Sequence, residues 1–163
     1  MPFPREVTLL DHDGRPFPLQ RVTGAVTLLA FGYTRCPDVC PLTLVTLKQV
    51  RALLGADAAH LRVLFVTVDP GHDTPARLRR YVSLFHPAFI GLTGAPGALA
   101  RVYRAFNVYP TPYAAAGTSE DVRVGHATAL YLIDRRGTIR VSYPWGISAV
   151  DLAADVRAVL AGR

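Results

Sequence analysis

Cys36 and Cys40 are the only cysteines in a chain of 163 residues, and they lie four positions apart. A disulfide closing so small a loop removes little unfolded-state entropy, so the pair is poorly suited to stapling a fold. Its chemistry is that of thiolates. A thiolate is both the nucleophile of disulfide exchange and a soft metal ligand, so the pair can serve either role. Arg35 adds positive charge beside Cys36, and Asp38 opposes it. A two-residue gap is the usual redox spacing. Three intervening residues make a wider loop, which can aim two sulfurs at one metal.

Two thiolates alone leave a metal under-coordinated, so a third ligand is wanted. The histidines are His12, His60, His72, His86 and His126. His126 is the candidate, because it directly precedes the strand-like run Thr128–Ile133. In the fold predicted from the elements, that strand is entered beside the cysteine loop. Thiol reductases of that fold place a proline there; this chain has a histidine instead. His72 and His86, beside helix ends, read as solvated. His12, in a turn, and His60, before a strand, read as ordinary surface residues. Two soft thiolates and an imidazole favour copper, Cu(I) above all. Cu(II) would need an added oxygen or water ligand. A structural zinc site would want a fourth protein ligand, and none is evident.

Several elements must position these groups. Val7–Leu10 and Pro16–Leu19, around Asp11-His12-Asp13-Gly14, predict a strand, turn and strand. Val26–Phe31 and Val63–Val68 are short apolar runs typical of buried central strands. Between them, Pro41 suits a first helical turn, Leu42, Val45, Val50, Leu53 and Leu54 recur at helical spacing, and Gly55 is a stop. Thr74-Pro75 opens a second helix with Leu78, Tyr81, Val82 and Phe85 inward. Phe89–Leu92 predicts a strand, and Leu99, Val102, Tyr103 and Phe106 mark a third helix. Asn107–Val124, with Pro110, Pro112 and Gly117, reads as loop. Thr128–Ile133, Asp134-Arg135-Arg136-Gly137 and Thr138–Tyr143 predict a hairpin, followed by a last helix over Ser148–Leu160.

Strand–helix–strand units demand right-handed crossovers and a parallel sheet centre. The terminal hairpin adds antiparallel strands. The pattern predicts an α/β, thioredoxin-like three-layer fold: a mixed central sheet, helices on both faces, an N-terminal β-hairpin and an inserted strand–helix. One domain spans 1–163, with 1–20 as an extension carrying the hairpin. The cysteines follow the first central strand at its carboxyl end, where sites gather in open α/β sheets.

Composition narrows the function classes. At 50% hydrophobic and 18% charged, the chain is not a disordered one. Net charge is +6, but the arginines are scattered and not interleaved with aromatics, so nucleic acid is not an expected partner. No run of about 18 apolar residues exists, so no membrane-spanning segment is expected, and the chain as given should be soluble.

The segment Gly32-Tyr33-Thr34-Arg35-Cys36-Pro37-Asp38-Val39-Cys40-Pro41 resembles the Sco/SenC family of copper-handling proteins. So do Asp69-Pro70-Gly71-His72-Asp73-Thr74, Gly91-Leu92-Thr93-Gly94, and Gly125-His126 followed by Tyr131-Leu132-Ile133-Asp134 and Gly137. The matches run in order from Val7 to Leu160. The resemblance implies copper bound by Cys36, Cys40 and His126. It implies a role in assembling the dinuclear copper centre of cytochrome c oxidase subunit II. Members usually carry an N-terminal membrane helix and face the periplasm or intermembrane space. An anchored precursor on the periplasmic side of a bacterial inner membrane is therefore expected. His72 stands where the family often has arginine. Asp69 and Asp73 would either buttress the site or serve as turn and helix-capping residues.

Two functions follow. One is a copper metallochaperone, whose partners would be the copper-site domain of subunit II and another copper chaperone. The other is a thiol–disulfide reductase acting on the oxidised cysteines of that site, with a thioredoxin-like reductant behind it. The two are compatible, because a Cys36–Cys40 disulfide cannot bind copper as thiolates. Peroxide reduction fits less well: its pattern wants threonine three residues before cysteine, and Thr34 is two before Cys36.

Overall fold

A computed structural model describes residues 3–36, 39–113, 121–125 and 128–163. The chain opens with β1 (Thr8–Asp11) and β2 (Pro16–Pro18), then β3 (Val26–Gly32), α1 (Val39–Leu54) and β4 (Leu61–Thr67). There follow α2 (Pro75–Ser83), β5 (Ile90–Thr93), α3 (Pro96–Ala105), β6 (Tyr109–Tyr113) and β7 (Asp121–Gly125). The chain ends in β8 (Thr128–Ile133), β9 (Ile139–Pro144) and α4 (Ala149–Leu160).

Seven strands form one mixed sheet in the order β2-β1-β5-β4-β3-β8-β9. β3 pairs parallel with β4, and β4 with β5. β8 lies antiparallel to β3, and β9 antiparallel to β8. On the other side β1 is antiparallel to both β5 and β2. This is the thioredoxin-like mixed sheet that the order of elements predicts.

β3 is buried along its whole length, so its side chains supply both faces. Val26, Leu28 and Ala30 join a core with Leu44, Leu47 and Val50 of α1, Leu78 of α2 and Leu152 of α4. Leu29 and Phe31 join a second core with Leu99 and Val102 of α3 and with Val7 and Leu9. The alternation is the period of two of a strand covered on both faces. Each fully buried leucine contributes about 1.5–3 kcal/mol, so α1 is held chiefly by its apolar stripe.

Helix ends follow local chemistry. Gly55, at φ +57°, ends α1 in the left-handed region. The hydroxyl of Thr74 caps α2 by accepting the Arg77 N–H at 3.2 Å, with Pro75 in the first turn. Among the described residues no helix is long and apolar enough to cross a membrane.

One expectation is corrected. Asn107–Val124 is not all loop, because β6 and β7 pair antiparallel as a separate ribbon, Tyr109 opposite Gly125 and Tyr113 opposite Asp121. Pro110 and Pro112 suggested a loop because neither can donate to a ladder. They are spaced by two, however, so both missing N–H groups fall on the same edge of β6. The other edge remains free to pair.

Candidate functional site

The cysteine loop is the continuation of β3. Gly32 closes the strand, and its carbonyl accepts the Val68 N–H at 2.8 Å, fixing the strand end against the chain leaving β4. A turn follows in which the Cys36 N–H donates to the Tyr33 carbonyl at 3.2 Å. Cys40 sits in the first turn of α1 and is buried; Cys36 is partly exposed, and both are free thiols. The two hydrogen bond to each other, and this bond, with burial, pushes the Cys40 thiol well above its ordinary value. The backbone of Tyr33 opposes that shift. A Cβ on Gly32 would lie 2.6 Å from Cys40 Sγ and 2.8 Å from the Phe65 ring, so no larger residue fits there without displacing the thiol.

Two carboxylates from the segment after β4 reach back to this loop. Asp73, with no exposed surface, accepts from the Thr34 N–H at 3.1 Å, the Thr34 hydroxyl at 2.5 Å and the Thr67 hydroxyl at 2.6 Å. Asp69 accepts from Arg35 Nη2 at 3.2 Å and lies 3.0 Å from His72 Nδ1. Arg35 Nη2 also lies 3.1 Å from that same ring nitrogen. Nδ1 carries a hydrogen when it donates to Asp69 and lacks one when it accepts from Arg35, so the tautomer selects one bond at a time. The helix cap is Thr74, not either aspartate.

Among the described residues no three of His, Cys, Asp and Glu converge on one point. His126 and Asp38 lie outside the described residues. The strand that follows His126 is placed: β8 pairs Leu130 with Ala30, two residues before the end of β3. The start of β8 is therefore beside the carboxyl end of β3, where the cysteine loop begins. His12 and His86 serve backbone, Nδ1 of each accepting an N–H at 3.0 Å, from Gly91 and Ala88 respectively.

Sequence reasoning missed Thr34, Thr67 and His72. His72 is not simply solvated, because it packs into the Arg35–Asp69 contact. The spacing of Asp69 and Asp73 around it was the available signal. Two carboxylates four apart in a tight turn can address the same neighbouring loop.

The sequence model of the SCO1/SenC family matches residues 2–161. The chain belongs to the SCO1/SenC family. Its similarity to the mitochondrial SCO2 homolog of Bos taurus is 40% identity over 156 residues, 93% of this chain and 58% of the relative. This Sco chain thus spans less than two thirds of that curated relative. Bradyrhizobium japonicum ScoI, solved with copper bound, superposes with a TM-score of 0.82 at 32% identity, covering 94% of this chain and 96% of that one. BsSco, described with a disulfide switch and as a member of the Sco family of cytochrome c oxidase assembly proteins, shares the fold. Its TM-score is 0.76 at 20% identity, over 100% of this chain and 96% of that one.

Proposed function

We propose that this Sco domain is a copper metallochaperone that binds copper through the Cys36 and Cys40 thiolates and the His126 imidazole. Its recipient would be the dinuclear copper centre of cytochrome c oxidase subunit II, with another copper chaperone as donor. It would work on the periplasmic side of a bacterial inner membrane, from an anchored precursor. The observation that carries this reading is the thiol-to-thiol hydrogen bond of Cys36 and Cys40 at the end of β3, with the start of β8 alongside. Thiols in mutual contact need little rearrangement to share one ion. Copper in the related ScoI supports the choice of metal. Ligand softness favours Cu(I). Asp73 and Asp69 would hold the loop in register without touching the metal.

The partial exposure of Cys36 supports a second activity of the same pair. Cys36, as thiolate, would attack a disulfide of the partner and expel one partner sulfur, which takes a proton. Cys40 would lose its proton and attack Cys36, releasing the second partner thiol and leaving a Cys36–Cys40 disulfide. Two electrons pass to the partner, and the oxidised chain cannot take copper as thiolates until a thioredoxin-like reductant resets it.

Titration of the reduced protein with Cu(I) and Cu(II), wild type beside His126→Ala, tests the ligand set. The variant is expected to bind copper about tenfold to a hundredfold more weakly or worse, while its dithiol exchange continues. Equal copper affinity would remove His126 from the site. Turnover on an oxidised partner with copper rigorously absent tests the second activity.

A further inference from the structure

A cleft runs between the cysteine loop and α2. Thr34 and Arg35 line one side of it, and Arg77, Arg80, Tyr81 and Leu84 line the other. No carboxylate occurs among its described lining residues. Arg77, Arg80 and Leu84 are spaced by three and four, so they follow one face of the helix. Arg77 donates to the carbonyl of His72 at 3.2 Å, a contact that leaves its charge uncompensated. Arg80 enters no ion pair among the described residues, and Leu84 is 77% exposed at the helix end. Tyr81 also lines the cleft and is partly buried. It packs in the same cluster as Cys36 and Cys40.

A peptide lying in this cleft would therefore meet the cysteine loop on one side and, on the other, the Arg77 and Arg80 cations and the apolar Leu84. With a net charge of +6, a second copy of this chain is a poor occupant. We propose that the cleft is the docking groove for an acidic, cysteine-bearing peptide segment of the exchange partner, its carboxylates facing Arg77 and Arg80 and an apolar residue covering Leu84. The proposal rests on the reading of Cys36 as the sulfur that exchanges with the partner.

The test uses two short synthetic peptides, each with one cysteine and one leucine. One is rich in aspartate and glutamate; the other has asparagine and glutamine at those positions. Serine versions, fluorescently labelled, report non-covalent binding to the reduced, metal-free protein. The acidic peptide should bind about tenfold more tightly, and the preference should fade as ionic strength rises from about 0.01 to about 0.5 M. Arg77→Glu with Arg80→Glu should abolish the preference, and Leu84→Ser should weaken both peptides alike.

The cysteine versions are presented as mixed disulfides with 2-mercaptopyridine. Attack of Cys36 on the peptide sulfur releases mercaptopyridine. Attack of Cys40 on Cys36 then frees the reduced peptide and leaves the protein disulfide. Release rates should rank as the affinities do. Equal binding of the two peptides, or a preference that survives charge reversal, overturns the groove. A wild-type dimer abolished by the same reversal assigns the cleft to a second copy and likewise overturns it. Copper titration separates this proposal from the one it rests on. Charge reversal that removes the peptide preference and leaves copper affinity intact supports the groove, whereas lost copper affinity in that variant counts against a separate docking surface. Selective binding of the acidic peptide, with exchange of its mixed disulfide, by a wild type that takes no copper would overturn the metallochaperone reading and leave the groove standing, whereas no exchange with the mixed disulfide would overturn the groove's assigned occupant.

Discussion

Asp73 takes both the backbone N–H and the hydroxyl of Thr34, at 3.1 and 2.5 Å, across 39 positions of sequence. The carboxylate also takes the Thr67 hydroxyl at 2.6 Å, and that oxygen accepts the Asp69 N–H at 3.0 Å. One buried anion thereby ties the cysteine loop to the end of β4 and the turn beyond it. Hydrogen bonds to a charged acceptor contribute about 1.5–3 kcal/mol each, and a buried donor left unpaired costs a similar amount.

Asp73→Asn tests this tie. The amide keeps the shape but removes the charge, and its NH2 fits only where the Thr34 hydroxyl turns from donor to acceptor. The expected loss is about 2–4 kcal/mol, read as a lower urea midpoint with the slope unchanged. Native-state alkylation of Cys36 should also change rate, because Thr34 no longer holds the loop. An unaltered midpoint would refute the role given to Asp73.

The two thiols should be chemically unequal. In the reduced, metal-free protein, iodoacetamide is expected to modify Cys36 at least about tenfold faster than Cys40, as only a reachable thiolate reacts. Cys40 is 7% exposed, and its hydrogen bond to Cys36 and its burial hold the proton on. Raising the pH through the ordinary thiol range near 8.5 should therefore accelerate labelling at Cys40 little. Peptide mapping by mass spectrometry decides it; equal labelling would contradict the arrangement.

Gly32→Ala places a methyl where Cys40 Sγ and the Phe65 ring already stand, at 2.6 and 2.8 Å. The backbone there is an ordinary strand, so the penalty comes from overpacking, about 1–3 kcal/mol. Cys40 is the softer neighbour and should give way. The expected signature is copper affinity lowered by more than the loss of stability explains. Unchanged copper affinity beside a lowered midpoint would mean that Phe65 yields instead.

Much of this was legible in the sequence, and the residues explain why. β3, β4 and the β8–β9 hairpin announce themselves through apolar runs and a turn, which are local signals. Cys36 and Cys40 stood out because no other cysteine competes with them. β6 was hidden, since Pro110 and Pro112 suppress a strand reading unless their spacing of two is weighed against a partner strand elsewhere in the chain. Thr34, Thr67 and His72 were hidden for a different reason. Thr34 takes its meaning from a carboxylate that only the parallel pairing of β3 with β4 brings near, whereas Thr67 and His72 take theirs from Asp73 and Asp69 within the turn after β4.

The last prediction concerns the hairpin that carries β8. Asp134 accepts the N–H groups of Arg136 and Thr138, each at 2.9 Å, and pairs with Arg140 Nη1 at 3.3 Å, around a turn in which Gly137 holds φ +78°. Partial burial alone would raise its carboxyl, but the backbone hydrogen bonds and Arg140 outweigh it and hold the group below the ordinary 3.8. A depressed folded value means that the charged form is the one the fold stabilises. That contribution is complete above the unfolded value and is lost as pH falls through the folded value. Asp134→Asn should therefore be less stable than wild type at neutral pH, and the difference should shrink in acid below 3.8. Chemical denaturation of both proteins at several pH values measures it. A gap that stays constant into acid would show that shape, not charge, is what the turn requires of Asp134.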